Sequence, residues 1–190
     1  MPKSLAKVCE LTGKPIKFYE VDICDKNGLR RVFSQNKIDC VIHIAALKSV
    51  GESCKSPIKY YSVNVTGSIN LIEIMEEFSV KRIVFSSSST VFGEPDYLPI
   101  DEEHPTGKCI NPYGRTKYIF EEFLKDICKA HSDWNVMSLR YFNPVGAHPS
   151  GIIGEDPLGV PYNLVPFIAQ VSHLLTESVE PQRVYSLDGR

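Results

Sequence analysis

Lys81-Arg82-Ile83-Val84-Phe85-Ser86-Ser87-Ser88-Ser89-Thr90 is the stretch that decides the fold. Its first half, Lys81 to Phe85, is a short apolar run of the kind that forms a buried strand, and its second half is a row of hydroxyls. Outward from it, Asp39 to Ala46 (D-C-V-I-H-I-A-A) is a continuous apolar run and predicts a strand buried on both faces. Asn135 to Tyr141 predicts a third strand, and the alternating Ile16 to Val21 (I-K-F-Y-E-V) a fourth that ends at Asp22-Ile23. Helical spacing fills the gaps. Lys26 to Gln35 reads as a short helix, and Pro57 to Phe78 as a long one with Tyr60, Val63, Ile69, Ile72 and Met75 along one stripe. Asn111-Pro112 is a helix start, asparagine as cap and proline in the first turn, for a helix that runs to about Lys129. Strands alternating with helices predict an α/β fold, a doubly wound parallel sheet. Ligands of such sheets bind beyond the carboxyl ends of the strands, so the residues just after each strand become the candidates.

At 190 residues and 43% hydrophobic, the chain is long enough for one domain with a real core. With 23% charged residues and a net charge of -2, nothing favours nucleic acid or an acidic membrane surface as partner. No apolar run approaches the roughly 20 residues of a membrane span, and Met1-Pro2-Lys3-Ser4 does not open a secretion signal. The six cysteines form no C-x-x-C pair and no cluster with histidine, so free thiols in a reducing cytoplasm are expected, with no metal site. His43, His104, His131, His148 and His173 read as isolated histidines. From Phe142 onward the periodicity fades into a Gly- and Pro-rich stretch, which predicts an ordered loop leaving the sheet.

Tyr113 and Lys117 sit four apart at the start of a helix and share one face. A free tyrosine, with a pKa of about 10, is a poor base at neutral pH. A lysine ammonium beside it favours the phenolate and draws that pKa down. The spacing alone also suits a solvated helix face. The strand ending in Ser86 to Thr90 changes the balance, because a hydroxyl there could bind a sugar hydroxyl and relay its proton to the tyrosine.

Ser86-Ser87-Ser88-Ser89-Thr90-Val91-Phe92-Gly93, followed by Pro112-Tyr113-Gly114-Arg115-Thr116-Lys117, resembles the extended short-chain dehydrogenase/reductase superfamily. Ala45 to Ser53, Pro105-Thr106-Gly107, Leu139 to His148, Gly154-Glu155-Asp156-Pro157 and Asn163 to Pro166 narrow the resemblance to the UDP-galactose 4-epimerases. It covers roughly Leu5 to Val171. The resemblance implies a Rossmann-like, NAD-binding domain over 1–148 and the beginning of a UDP-sugar-binding region over 149–190, with a divergent tail after Val171. It implies that UDP-galactose and UDP-glucose interconvert by NAD-mediated oxidation and re-reduction at sugar C4. Tyr113 would be the base, Lys117 would lower its pKa and hold the nicotinamide ribose, and Ser88 would bind the sugar 4-hydroxyl. Asp22, Ile23, Ile44, Lys48, Lys117 and Tyr141 match positions that touch NAD. Ser88, Ser89, Thr90, Tyr141, Phe142, Asn143, Tyr162, Asn163 and Leu164 match the UDP-sugar pocket. The helices over 57–78 and 112–129 match a dimer interface, which implies a homodimer for a complete protein.

The chain departs from that family at its start. The Gly-x-x-Gly-x-x-Gly turn that cradles a pyrophosphate is missing, and with it two central strands of a sheet truncated at the N-terminus. Ile16 to Val21 is then expected to lose its neighbours, and Cys40 to Ala45 to become an unpaired apolar edge. A catalytically silent binding or dimerising fragment is the alternative. A dehydratase or reductase is disfavoured, because dehydratases usually place acidic residues beside the hydroxyl run, where this chain has Ser88-Ser89-Thr90.

Overall fold

A computed structural model describes residues 1–155 and 163–177. The chain divides into two compact units, Phe18–Phe142 and Met1–Lys17 with the chain from Asn143 onward.

The first unit is built on a parallel sheet of β1 (Val41–His43), β2 (Arg82–Ser88) and β3 (Asn135–Tyr141), in the order β1-β2-β3. Between β1 and β2 run α2 (Val50–Lys55), α3 (Pro57–Tyr61), a π turn at Ser62–Gly67 and α4 (Ser68–Glu77). The chain enters β1 from α1 (Lys26–Ser34) and passes from β2 to β3 through α5 (Pro112–Ala130). Thus β2, β3 and α5 stand where the sequence predicts them. In α5 the Asn111 side chain accepts from the Gly114 N–H at 2.8 Å, and Pro112 occupies the first turn.

The core lies on one face of the sheet. Ile83 and Phe85 of β2 are buried against Ile74 and Met75 of α4 and Phe120 and Leu124 of α5. Phe85 and Phe120 meet edge to face, with centroids 4.8 Å apart. The alternate residues are open: Ile42 is 69% exposed and its registered neighbour on the far strand, Met137, 59%.

Three expectations are corrected. Asp39 to Ala46 is not a strand buried on both faces; β1 is three residues long and forms the sheet edge, with Ile44 also 69% exposed. Ile16 to Val21 is not a strand: a strand exists only through a ladder, and among the described residues the sheet ends at β1 with no further strand paired to it. Tyr19 instead exchanges hydrogen bonds with Asn36, the shorter 2.9 Å. The stretch over 57–78 is not one α-helix, because the π turn interrupts it.

In the second unit, helices at Lys3–Thr12 and Leu164–Glu177 were not foreseen by the periodicity. Ala147 and Gly154 form a single antiparallel bridge there. Among the described residues no helix is long and apolar enough to cross a membrane, and no group of His, Cys, Asp or Glu could hold a metal.

Removing Phe120, which has no exposed surface, should cost about 3–5 kcal/mol as Phe120→Ala in denaturant unfolding. Ile58→Ala, at a side chain 82% exposed, should stay within about 0.5 kcal/mol. Equal losses would contradict this placement of the core.

Candidate active site

The amino end of α5 is pressed onto the turn that follows β2. Gly114 makes this possible: a Cβ there would lie 2.9 Å from the Thr90 carbonyl oxygen and 3.0 Å from its hydroxyl. The approach sets Tyr113 and, one turn later, Lys117 against the serine run. Lys117 is 4% exposed and donates from Nζ to the Ser86 carbonyl at 2.7 Å. Its ammonium lies 5.0 Å from the Phe85 ring centroid and 5.9 Å from that of Tyr113. Burial pulls its pKa down to about 8.

The hydroxyls of Ser88 and Thr90 are hydrogen-bonded to each other. Thr90 donates to Ser88 Oγ twice, from its backbone N–H at 3.2 Å and from its own hydroxyl at 2.9 Å. The Ser88 hydroxyl favours the phenolate form of Tyr113. Burial is nevertheless the larger influence, and Tyr113 stands above the ordinary tyrosine value. The sequence predicts the opposite sign. Lys117 donates to the Ser86 carbonyl, and withdrawal of the phenol from water outweighs what favours the phenolate.

Five buried polar residues complete the support: Thr116, Asn64, Ser68, His43 and Glu121. Thr116 donates to the Tyr113 carbonyl at 2.7 Å and accepts from Asn64 in the π turn at 3.2 Å. Asn64 also grips the backbone of Leu47, accepting from its N–H at 2.8 Å and donating to its carbonyl at 3.0 Å. π turns interrupt helices often at functional sites, and this one hangs the loop after β1 on the same network that holds Tyr113. Ser68 donates its only proton to the Asn64 carbonyl at 2.7 Å, so His43, 2.7 Å from the same hydroxyl, must donate from Nε2. His43 is therefore a neutral core histidine with a hydrogen-bond partner in Ser68. Burial first, and the nearby Lys117 charge second, lower its pKa to about 4. A polar Asn64 between Val63 and Val65 in an apolar helical stripe was the one available signal. Farther along α5, Glu121 accepts from the Ser87 hydroxyl and from Nε and Nη2 of Arg140, at 3.1 and 2.9 Å. Pro105-Thr106-Gly107 lies in irregular chain: Gly107, at φ +99°, donates to the Val91 carbonyl at 2.9 Å, and a Cβ there would meet the Tyr118 ring at 3.0 Å.

The remaining candidates are spread out. Ile44 and Lys48 follow β1 and are exposed, as is Asp22, whose carboxylate accepts from the Cys24 N–H at 2.7 Å. Ile23 packs on Gly67 of the π turn. Ser89 begins the turn after β2, Tyr141 ends β3, and Phe142 stacks on Phe92 with centroids 6.2 Å apart. Asn143, Asn163 and Leu164 belong to the second unit, where Asn163 donates to Glu155 at 3.1 Å, and Tyr162 lies outside the described residues. A cleft of about 350 Å³ opens at the opposite, amino ends of the strands; it is lined by Lys81, Arg82, Asp39 and Asp133 and has none of this hydroxyl chemistry.

A model of the NAD dependent epimerase/dehydratase family matches residues 3–175. The chain belongs to that family. It is 58% identical to a UDP-glucose 4-epimerase of Drosophila melanogaster over 172 residues, which cover 90% of this chain and 49% of that protein. The Homo sapiens UDP-glucose 4-epimerase is 55% identical, with the same shares covered. Among solved structures, UDP-glucose 4-epimerase from Bifidobacterium longum in complex with NAD+ and UDP superposes with a TM-score of 0.88 at 50% identity, over 91% of this chain and 52% of that one. The chain spans about half the length of the curated relatives it matches. The family's parallel, Rossmann-like sheet is thus the frame on which the hydroxyl run and Lys117 are mounted.

His43 gives this frame a pH dependence. Its folded pKa of about 4 lies below the unfolded value of 6.5, so the unfolded chain binds the proton more readily between them. Stability is full above pH 6.5 and should fall by about 3 kcal/mol as pH drops toward 4. The difference in unfolding free energy between wild type and His43→Asn should change across that window. Parallel curves would show that His43 is not held neutral.

Proposed function

We propose that this sequence carries the acid–base half of a UDP-glucose 4-epimerase site, serving the interconversion of UDP-galactose and UDP-glucose. One observation carries the reading: the buried ammonium of Lys117 lies 5.9 Å from the centroid of the Tyr113 ring and 2.7 Å from the Ser86 carbonyl, at the serine run that ends β2.

NAD suits the residues present at one of its ends. Among the described residues one of the three Lys117 N–H donors is used, which leaves two for the hydroxyls of a nicotinamide ribose. Asp22, Ile23, Ile44, Lys48 and Tyr141 would hold more of the cofactor, whereas none of the chain's glycines forms the Gly-x-x-Gly-x-x-Gly turn that cradles a pyrophosphate. When bound, NAD would supply the hydride acceptor and donor for the sugar's C4.

The chain's own work is proton transfer and positioning. Tyr113 would take the proton of the 4-hydroxyl and later return it, with Ser88 holding that hydroxyl in line and Thr90 fixing Ser88. Because burial holds Tyr113 above its ordinary value, the base is idle until further positive charge comes beside the ring. The fixed ammonium of Lys117 supplies part of that charge. Ser89, Phe142, Asn143, Tyr162, Asn163 and Leu164, with Tyr141, would bind the UDP-sugar. A cytoplasmic homodimer through α3 and α5 fits this reading, supported by the exposed Ile58 and Ile119 on those helices.

The test is a chimera in which residues 5–171 replace the matching stretch of the Drosophila enzyme, assayed with UDP-galactose and NAD. Turnover is expected, and Tyr113→Phe should lower kcat by about 10²–10⁴-fold while UDP-sugar binding persists. Near-normal turnover of Tyr113→Phe would remove Tyr113 from the role of base.

A further inference from the structure

We infer that Glu121 is a positioning residue that sets the register of α5 on β2, and thereby the placement of Tyr113 against the end of the serine run. The inference rests on the reading of Tyr113 as the acid–base group.

Three residues of α5, each one turn from the next, meet three consecutive residues of β2. Tyr113 meets the side chain of Ser88, Lys117 the carbonyl of Ser86, and Glu121 the side chain of Ser87. Each helix turn of four residues advances about 6 Å, so a helix fixed at Glu121 fixes the height of Tyr113 two turns away. Glu121 is fixed from two strands at once. Its carboxylate accepts from Ser87 on β2 and, through a two-pronged contact, from Arg140 on β3. Ser87 and Arg140 are direct partners in the β2–β3 register, so the carboxylate closes a triangle of one helix and two strands. The Arg140 guanidinium also lies 4.9 Å from the centroid of the Phe92 ring, on the turn that continues from Thr90. The helix, the strand end and the turn that together orient Ser88 are all tied to this one carboxylate.

Stability alone does not account for the choice. The Glu121 side chain is 2% exposed and that of Arg140 22%, and a largely buried ion pair is commonly replaceable by apolar groups of the same shape without loss of stability. Apolar packing tolerates sliding, whereas a carboxylate with three fixed donors does not.

The experiment follows the tyrosine itself and needs no turnover. The chain is labelled with [13Cζ]-tyrosine, and the Tyr113 resonance is identified by its loss in Tyr113→Phe. Its alkaline titration is then recorded in wild type, Ser87→Ala, Ser87→Thr and Glu121→Gln. In Ser87→Ala and Glu121→Gln the Tyr113 midpoint should move to higher pH, by up to about one unit, the size of one hydrogen bond to the phenolate. Ser87→Thr, which keeps the hydroxyl, should retain the wild-type midpoint. Ser87→Ala leaves the Glu121–Arg140 pair intact and decides the matter if Glu121→Gln does not fold. A wild-type midpoint in folded Ser87→Ala, or a fall to the ordinary tyrosine value, would overturn the inference. A chimera that stays active without the Tyr113 hydroxyl would instead sink the acid–base reading and leave this titration result standing.

Discussion

An ammonium with almost no access to water is the constraint around which this structure is arranged. Lys117 is 4% exposed, and its pKa near 8, against 10.5 for the free side chain, measures a cost of about 3 kcal/mol for keeping it charged at neutral pH. A lysine bears that cost only where the surroundings return part of it. Here the Ser86 carbonyl accepts one proton and the face of Phe85 lies beneath the charge. Both partners belong to β2, so the charge can be held only where α5 and β2 are locked together. The Asn111 cap, the missing Cβ of Gly114 and the packing of Phe120 on Phe85 do the locking.

The hydroxyl run after β2 is consequently less uniform than its composition suggests. Ser86 contributes a carbonyl, Ser87 a structural hydroxyl, and Ser88 a hydroxyl that favours the Tyr113 phenolate. Three consecutive serines thus do three different jobs within about 10 Å of strand. Behind it, the Asn64 network ties the loop after β1 to the Tyr113 backbone, so both strand ends share one polar scaffold.

What the sequence made legible was local. The apolar run before the serines and the Asn-Pro cap place β2 and α5 because each signal is complete within a few residues. Tyr113 and Lys117 come together for the same reason, a spacing of one helical turn. The misreadings were not local. Ile16 to Val21 has the composition of a strand, but a strand needs a partner, and that is a property of the rest of the chain. His43 looked isolated because Ser68 stands 25 residues away, and Glu121 was passed over because Ser87 and Arg140 lie 34 and 19 residues off. Spacing predicted that Lys117 stands near Tyr113; it could not say how deeply the phenol is buried, and burial decides the direction of its pKa.

The protonation of Lys117 tests this account most directly. In protein labelled with [13Cε]-lysine, one resonance should titrate near pH 8 and vanish in Lys117→Arg, well apart from the other lysines. If every lysine titrates near its ordinary value of about 10.4, the ammonium is not buried beneath α5, and the arrangement built on it does not exist.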